Sequence, residues 1–279
     1  MDIIDHLIEQ ALSEDIGDGD HTSQATIPSS ATGQMKLLVK EDGIIAGIDI
    51  ARKVFNKVDP LITMQPLIQD GNEIKKGDIV FYIKGPCKSM LIAERSVLNF
   101  MQRMSGIATA TNRYVKMIEG TKARLLDTRK TTPNMRIFEK MAVVIGGGLN
   151  HRMGLYDMVM IKDNHVDFAG GIEKAITAEK SYLAKTGRDL KIEIEVRNFD
   201  ELAEVMRVGG INRIMLDNFS PEDMKRAVQI IDGKYETEAS GGITLDSIRS
   251  YAETGVDFIS VGAITHHIKS LDLSLKAVE

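Results

Sequence analysis

The chain has one cysteine, Cys87, so an intrachain disulfide is excluded and a reducing compartment fits best. The plain reading of that residue is a small buried apolar side chain. Long apolar runs are missing as well, since nothing approaches the roughly 18 consecutive apolar residues that a membrane span requires. The opening Met1-Asp2-Ile3-Ile4-Asp5-His6 lacks the basic flank and apolar stretch of a signal peptide, which makes the cytoplasm the expected compartment. Positive charge is not in excess either. A net charge of -5 argues against a general nucleic-acid or membrane-surface role, because such binders usually present a basic face. There is no low-complexity tract and no repeat.

What is present is ample apolar and charged material, 43% and 27% of 279 residues, enough for two domains or for one barrel with an appendage. Ile3, Ile4, Leu7, Ile8, Ala11 and Leu12 fall on one face of an opening helix. The acidic, glycine-rich stretch from Glu14 to Asp20 is expected to be a loop, and it lacks the spacing and closing glutamate of an EF-hand. Between Gly33 and Lys84 the pattern predicts a β-rich packing domain, with short strands at 35–39, 43–46, 62–66 and 79–83. Residues 93–118 read as a long helical region broken near Ser105-Gly106, where the domain boundary is expected.

Beyond that break the rhythm changes. Strand-like runs at 123–126, 158–161, 192–196, 213–216, 235–239 and 258–261 alternate with helical patterns near 137–144, 172–183, 201–208, 224–231 and 245–254. Strict alternation implies parallel strands with right-handed crossovers. Six units in about 160 residues favour a compact barrel, although periodicity alone leaves a doubly wound sheet open.

Polar groups follow every one of these strands: Asp127-Thr128-Arg129-Lys130, Lys162-Asp163-Asn164-His165, Glu195, Asp217-Asn218, Ser240-Gly241-Gly242 and Gly262. In a parallel barrel all the strand C-termini share one rim, so these groups converge on one mouth. Glycines let backbone N–H groups approach an anion, and a helix expected directly after Ser240-Gly241-Gly242-Ile243 would favour negative charge. Together with Ser260-Val261-Gly262-Ala263 this predicts phosphate binding by the last two units. From Arg124 to Lys162 there are seven lysines and arginines against three acids, a local reversal of the overall charge that suits a compact polyanion. Glu193 and Glu195 point to the same strand face, and Glu195 lies one pleat nearer the mouth. With Asp217 it offers carboxylates for Mg2+ or for ribose hydroxyls.

These blocks resemble the quinolinate phosphoribosyltransferase family. The resemblance is carried by Glu94-Arg95-Ser96-Val97-Leu98-Asn99, Ser105-Gly106-Ile107-Ala108-Thr109, Asp127-Thr128-Arg129-Lys130-Thr131 and Gly148-Leu149-Asn150-His151-Arg152. Ile161-Lys162-Asp163-Asn164-His165, Leu216-Asp217-Asn218-Phe219, Ser240-Gly241-Gly242 and Thr254-Gly255-Val256-Asp257 extend it over nearly the whole chain. It implies an N-terminal α/β sandwich domain over residues 1–105 and an open, TIM-like α/β barrel over 106–266. The tail, 267–279, is implied to return to the first domain.

It further implies transfer of a phosphoribosyl group from phosphoribosyl pyrophosphate to quinolinate with loss of carbon dioxide. By resemblance, Arg129, Lys130, His151, Arg152 and Lys162 face the quinolinate carboxylates. Glu195, Asp217, Ser240, Gly241, Gly242 and Gly262 face the phosphoribosyl part, with Thr128, Val261 and Ala263 beside them. Lys130, Lys162, Glu195 and Asp217 are the implied catalytic groups. Glu195 and Asp217 are the implied Mg2+ carboxylates, acting mainly through the substrate. Arg95 is implied to enter a neighbouring subunit's site, making a homodimer the minimal unit. His267 after His266 and Arg197 after Glu195-Val196 depart from the family pattern. A related pentosyltransferase on another anionic base and a Schiff-base aldolase using Lys130 or Lys162 are the rival readings.

Overall fold

The computed structural model describes residues 2–278; Met1 and Glu279, the outer ends of the expected N-terminal domain and of its tail, lie outside the described residues. The elements begin with α1 Ile3–Ile16, α2 His21–Thr26, β1 Thr32–Val39, β2 Gly43–Ile44, α3 Ile48–Val58, β3 Thr63–Pro66 and β4 Glu73–Ile74. They continue with β5 Ile79–Pro86, α4 Cys87–Met117, β6 Arg124–Leu126, α5 Arg136–Ile145, β7 Val159–Ile161, α6 Asp163–Ala169 and α7 Ile172–Thr186. Then follow β8 Ile192–Val196, α8 Phe199–Val208, β9 Arg213–Asp217, α9 Pro221–Ile231 and β10 Glu236–Ser240. The last are α10 Ile248–Ala252, β11 Phe258–Ser260, α11 Ala263–His266 and β12 Leu273–Ala277. The chain separates into two compact units, residues 1–112 with 131–147 and 267–279, and residues 113–130 with 148–266.

The first unit is built on an antiparallel sheet in the order β12-β1-β5-β3, so the C-terminal strand pairs with the first, Met35 opposite Ala277. Alternation puts Leu37, Val39, Phe81, Ile83, Leu273 and Leu275 on its buried face. The expectation of strands and turns from Gly33 to Lys84 missed α3. Its buried Ile48, Ala51, Val54 and Phe55 recur at helical spacing, and Phe55 meets Phe81 edge-on at 6.2 Å between ring centroids. The expected loop at Glu14 starts later, because α1 runs through Glu14 and Asp15 and stops at Gly17, whose φ of 54 ends the helix. Cys87, expected to be buried, is half-buried at the first position of α4.

The expected break in α4 is absent too. Ser105 is fully buried, and its Oγ accepts the N–H of Ala46 at 3.0 Å. Gly106 lies so close to the Lys269–Ser270 backbone that a Cβ would stand 3.1 Å from Ser270 Cα. The small pair is there for close approach inside a continuous helix. Helix α5 belongs to this first unit, where Phe138 packs on Phe100 at 4.8 Å.

The second unit carries a parallel sheet in the order β6-β11-β10-β9-β8-β7. The first strand of the set pairs with the last, which is how a barrel wraps, and β6 and β7 are left as the two edges, so the barrel is open. Strand β8 is buried along its whole length although it reads Ile-Glu-Ile-Glu-Val, its alternation putting Ile192, Ile194 and Val196 on one face and Glu193 and Glu195 on the other. The helices cover the strands with narrow apolar stripes such as Leu202 and Val205 on α8 and Met224 and Ala227 on α9. Asn198 and Ser220 cap them, accepting the N–H groups of Glu201 and Asp223. Truncating fully buried Leu202 to alanine is expected to cost about 2–5 kcal/mol.

Candidate active site

Because the six strands are parallel, their C-termini open on one rim. A cavity of about 300 Å³ lies there, lined by Thr128, Arg129, Lys130, His151, Arg152, Lys162 and Ser240, with Met160, Met215, Glu238 and Ser260 from within the strands forming its floor. Of the seven bases counted in the sequence, four reach it. Arg124 opens β6 at the opposite end and stacks over Phe258 at 4.6 Å. Arg136 donates to Thr131 and Lys140 is fully buried, both in the first unit. Arg95 is exposed on α4 of that unit. A larger cleft of about 450 Å³ in the first unit contains Glu14, Asp15 and Arg103, but Glu139 holds that arginine at 2.7 Å. The cations that await a ligand are in the smaller cavity.

The rim cations are fixed mainly through their backbones. The Lys130 N–H donates to Thr128 Oγ1 at 3.1 Å and its carbonyl accepts Thr265 Oγ1 at 2.8 Å. The Lys162 N–H donates to His165 Nδ1 at the start of α6, a helix absent from the sequence expectations. At the side chains, Lys162 Nζ stands 3.2 Å from Glu195 Oε2, and Arg152 donates to the Met158 carbonyl at 3.2 Å. Arg129 Nε is buried without a hydrogen-bond partner among the described residues. Burial, followed by the repelling charge of Arg129, lowers Arg152 below the ordinary guanidinium value. Two crowded cations short of anions are what a polyanionic ligand relieves.

Beneath them lies a closed charge cluster; pairing of Glu193 with the basic segment was an open alternative of the sequence reading, whereas the parts of Arg213 and Glu238 were not anticipated. His151 Nε2 is 3.1 Å from Glu193 Oε2 and 3.4 Å from Glu238 Oε2, and Arg213 reaches Glu238 at 3.0 Å. Arg213 also stacks 4.0 Å above Phe258 and holds half-exposed Glu236 at 3.1 Å. Burial disfavours a charged imidazole, but the two carboxylates outweigh it and raise His151 to about 9. The Arg152 N–H points at Nδ1 from 2.6 Å, a contact that suits a neutral ring. The charge count favours the cationic form, because a neutral ring leaves two buried carboxylates to Arg213 alone. Burial and the charge of Glu238 push Glu193 up to about 7. The signal was legible in principle: Glu193 pairs in register with Arg213, and Glu238 lies on the next strand two residues beyond Glu236, on the inward face.

The remaining rim groups come from the ends of β8, β9, β10 and β11. Glu195 is nearly buried on β8, and Asp217 and Ser240 are paired ends of β9 and β10. Gly241 and Gly242 have φ of 99 and 59, left-handed values that favour glycine in the turn after β10. The helix expected directly after them starts only at Ile248 and is five residues long, so no helix N-terminus follows that turn directly. Val261 is buried and contributes only backbone, its N–H donating to Leu126 O at 3.0 Å. Gly262 has Lys130 and His266 so close that a Cβ would stand 2.9 Å from His266 Nε2, and Ala263 begins α11. His266 was noted in the sequence only for its neighbour His267; its spacing from Gly262, one helical turn, was the available signal.

Metal ligation was tested on the same geometry. Among the described residues, only His151, Glu193 and Glu238 bring three ligand atoms within 4.8 Å of one another, and Arg213 already occupies that fully buried group. Glu195 is engaged by Lys162, and Asp217 by the side chain of Asn218 at 2.6 Å. The residues do not form a closed Mg2+ cage of their own.

Comparison with known proteins covers nearly the whole chain. Residues 107–276 match the family model described as "Quinolinate phosphoribosyl transferase, C-terminal domain", and residues 20–105 match the corresponding N-terminal domain. A tobacco (Nicotiana tabacum) protein named quinolinate phosphoribosyltransferase (decarboxylating) 1b is 47% identical, over 97% of this chain and 81% of its own. A Bacillus subtilis protein named probable nicotinate-nucleotide pyrophosphorylase (carboxylating) is 39% identical, over 96% and 91%. The solved nicotinate-nucleotide pyrophosphorylase from Francisella tularensis superposes with a TM-score of 0.92 at 44% identity, covering 99% of this chain and 96% of that one.

Proposed function

This chain belongs to the quinolinate phosphoribosyltransferase family, and we infer from that premise that it joins quinolinate to phosphoribosyl pyrophosphate with loss of carbon dioxide. The products are nicotinate mononucleotide, pyrophosphate and carbon dioxide, a step of NAD biosynthesis. The observation that carries the reading at residue level is the crowding of Arg129 and Arg152 beside Lys130, Lys162 and His151 in one cavity.

Quinolinate brings two adjacent carboxylates. We assign them to Arg129, Arg152, Lys130 and Lys162, with Thr128 at the cavity wall and His151 contributing its charge from the floor, where both ring nitrogens are already engaged. The phosphoribosyl part lies toward Glu195, Asp217, the Ser240-Gly241-Gly242 turn and the Val261-Gly262-Ala263 segment. The ring nitrogen attacks C1 of the ribose, forming the C–N bond as the C–O bond to pyrophosphate breaks. Positive charge builds on the sugar, which Glu195 and Asp217 offset from nearby. The C2–carboxylate bond then breaks, its electrons remain at C2 beside the cationic nitrogen, and C2 takes up a proton. No protein nucleophile is required, which suits a site of cations without a triad.

Mg2+, when bound, neutralises charge on the pyrophosphate group. The protein itself forms no closed cage, and Glu195 and Asp217 are the carboxylates that would face the ion if phosphoribosyl pyrophosphate carried it. Lys162, already paired with Glu195, links the two halves of the site. Arg95, exposed on α4, completes the site of a second copy, so the working unit is a homodimer without nucleic-acid or membrane partners. We also propose the cytoplasm, on the unpaired Cys87. No helix among the described residues is long and apolar enough to cross a membrane. Relatives from Nicotiana glauca and rice are named mitochondrial and chloroplastic, so cell fractionation decides the compartment.

The defining experiment is a coupled assay for pyrophosphate and carbon dioxide with both substrates, repeated in excess chelator. Equal release of the two products, abolished by the chelator while the protein stays folded, is expected. Pyrophosphate release without carbon dioxide would point to another acceptor base. For the dimer, inactive Arg95→Ala mixed with inactive Arg129→Ala regains part of the activity after subunit exchange; no recovery would return Arg95 to its own subunit.

A further inference from the structure

Asn218 has no part in the chemistry above, yet its placement is constrained on every side. It follows Asp217 at the end of β9 with a φ of 58, a left-handed conformation that asparagine tolerates better than other side chains with a Cβ. Its Nδ2 donates to Asp217 Oδ2 at 2.6 Å. Its backbone N–H donates to the Ser240 carbonyl at 2.9 Å. Its Oδ1 lies against the Cα of Gly241, where a Cβ would overlap it and would stand 2.8 Å from the Asn218 nitrogen. The next residue is anchored as well, because Tyr251 donates to the Phe219 carbonyl at 3.1 Å and Phe199 meets the Phe219 ring at 5.4 Å.

One side chain therefore touches both a carboxylate on one strand and the glycine turn after the next. We propose that Asn218 is a positioning residue that locks the Asp217 carboxylate to the Ser240-Gly241-Gly242 turn. Sugar-facing carboxylate and phosphate-reading turn then keep one spacing before the ligand arrives. The proposal rests on the reading of Asp217 and that turn as the phosphoribosyl side of the site. The amide is suited to the task because it donates to a carboxylate through one end and presents an uncharged oxygen to a glycine through the other. Its orientation is fixed by charge, since the reverse would set an oxygen against the Asp217 carboxylate. Only one Asp217 oxygen is engaged, which leaves the other for a ribose hydroxyl or a substrate-borne cation.

The test compares Asn218→Gly, which keeps the left-handed backbone and deletes the clamp, with Asn218→Asp, which keeps the shape and sets a second carboxylate against Asp217. A hydrogen bond to a charged group is worth about 1.5–3 kcal/mol, so KM for phosphoribosyl pyrophosphate should rise about 10- to 150-fold in both, with KM for quinolinate unchanged. Combining Asn218→Gly with Asp217→Asn should add little beyond Asp217→Asn alone, because the clamp acts through that carboxylate. Equal damage to both KM values would assign Asn218 a general structural role and overturn the proposal, as would fully additive effects. If Asp217→Asn weakens phosphoribosyl pyrophosphate and Asn218→Gly does not, the clamp fails while the reading of Asp217 stands. If Asp217→Asn leaves that KM untouched, the underlying reading fails and takes the clamp with it.

Discussion

Arg213 and Arg129 belong to the same barrel, one pointing inward from β9 and the other just past the end of β6, and their surroundings differ in kind. Around Arg213 the chain supplies Glu193, Glu236, Glu238 and the face of Phe258, so its charge is met from several directions. Around Arg129 it supplies a second arginine and leaves Nε without a partner. Arg129 is half-buried with its Nε unpartnered among the described residues, so an anion arriving from outside supplies what the chain does not. The floor of the barrel is electrostatically finished, whereas the mouth is complete only with a ligand in it. On the proposed function, the same residue type serves stability in one place and recognition in the other.

The difference can be broken most directly by removing each arginine in turn. Arg213→Met leaves Glu193 and Glu238 to His151 alone, and loss of one partner of a buried ionic group typically costs about 3–5 kcal/mol. Arg129→Met removes a repulsion and should change stability by less than about 1 kcal/mol while abolishing turnover. Urea unfolding of the two variants is the measurement. A stability loss at Arg129 as large as that at Arg213 would erase the distinction between mouth and floor.

A second measurement sharpens the mouth itself. Nicotinate lacks the carboxylate beside the ring nitrogen, so it leaves part of the cationic set unmet. Truncating one partner of a buried charged pair costs about 2–5 kcal/mol, which is roughly 30- to several-thousand-fold in specificity. Quinolinate should be preferred by a ratio of specificity constants in that range. Arg152→Lys, which keeps the charge and loses the fork, should lose most of its activity on quinolinate. A ratio near unity would mean that the cations do not read two carboxylates.

The sequence displayed the mouth more readily than the floor, for a physical reason. Rim residues come in contiguous blocks after strands, such as Asp127-Thr128-Arg129-Lys130, so neighbours in the chain are neighbours in space. The floor is assembled from Glu193, Arg213 and Glu238 on three strands and His151 from a segment without regular structure, and only strand register brings them together. All six strands of the parallel sheet were legible from β-type runs, while α3 was hidden because its charged positions 49, 52, 53 and 57 interrupt a short apolar stripe. The Ser105-Gly106 pair misled for a related reason. Small residues signal either a break or a close approach, and nothing in the local sequence distinguishes a helix end from the tail that packs there.

The finest test of the contrast is its pH dependence. His151 titrates at about 9 in the folded protein, above the ordinary imidazole value of 6.5, so folding strengthens its hold on a proton. Stability from that group is fully present below about 6.5 and is lost as the pH rises through about 9. Glu193 acts in the same direction at lower pH: burial and the charge of Glu238 raise it from 4.5 to about 7, so its contribution is lost between about pH 4.5 and 7 and overlaps only the start of the His151 window. Glu238 itself is lowered, the interactions with His151 and Arg213 outweighing its burial, so its contribution is lost only on acidification and lies outside this window. The melting temperature should therefore fall between about pH 6.5 and 9, by roughly 2–4 °C for each kcal/mol lost. In Glu238→Gln the imidazole keeps a single acid, its titration moves down, and the fall should begin at lower pH and be shallower. The rim offers no comparable slope, since arginines stay charged throughout this range, and Arg129→Met should melt with the wild-type pH profile. A profile unchanged by Glu238→Gln but flattened by Arg129→Met would place the titrating charge at the mouth and reverse the division of labour between the two ends of the barrel.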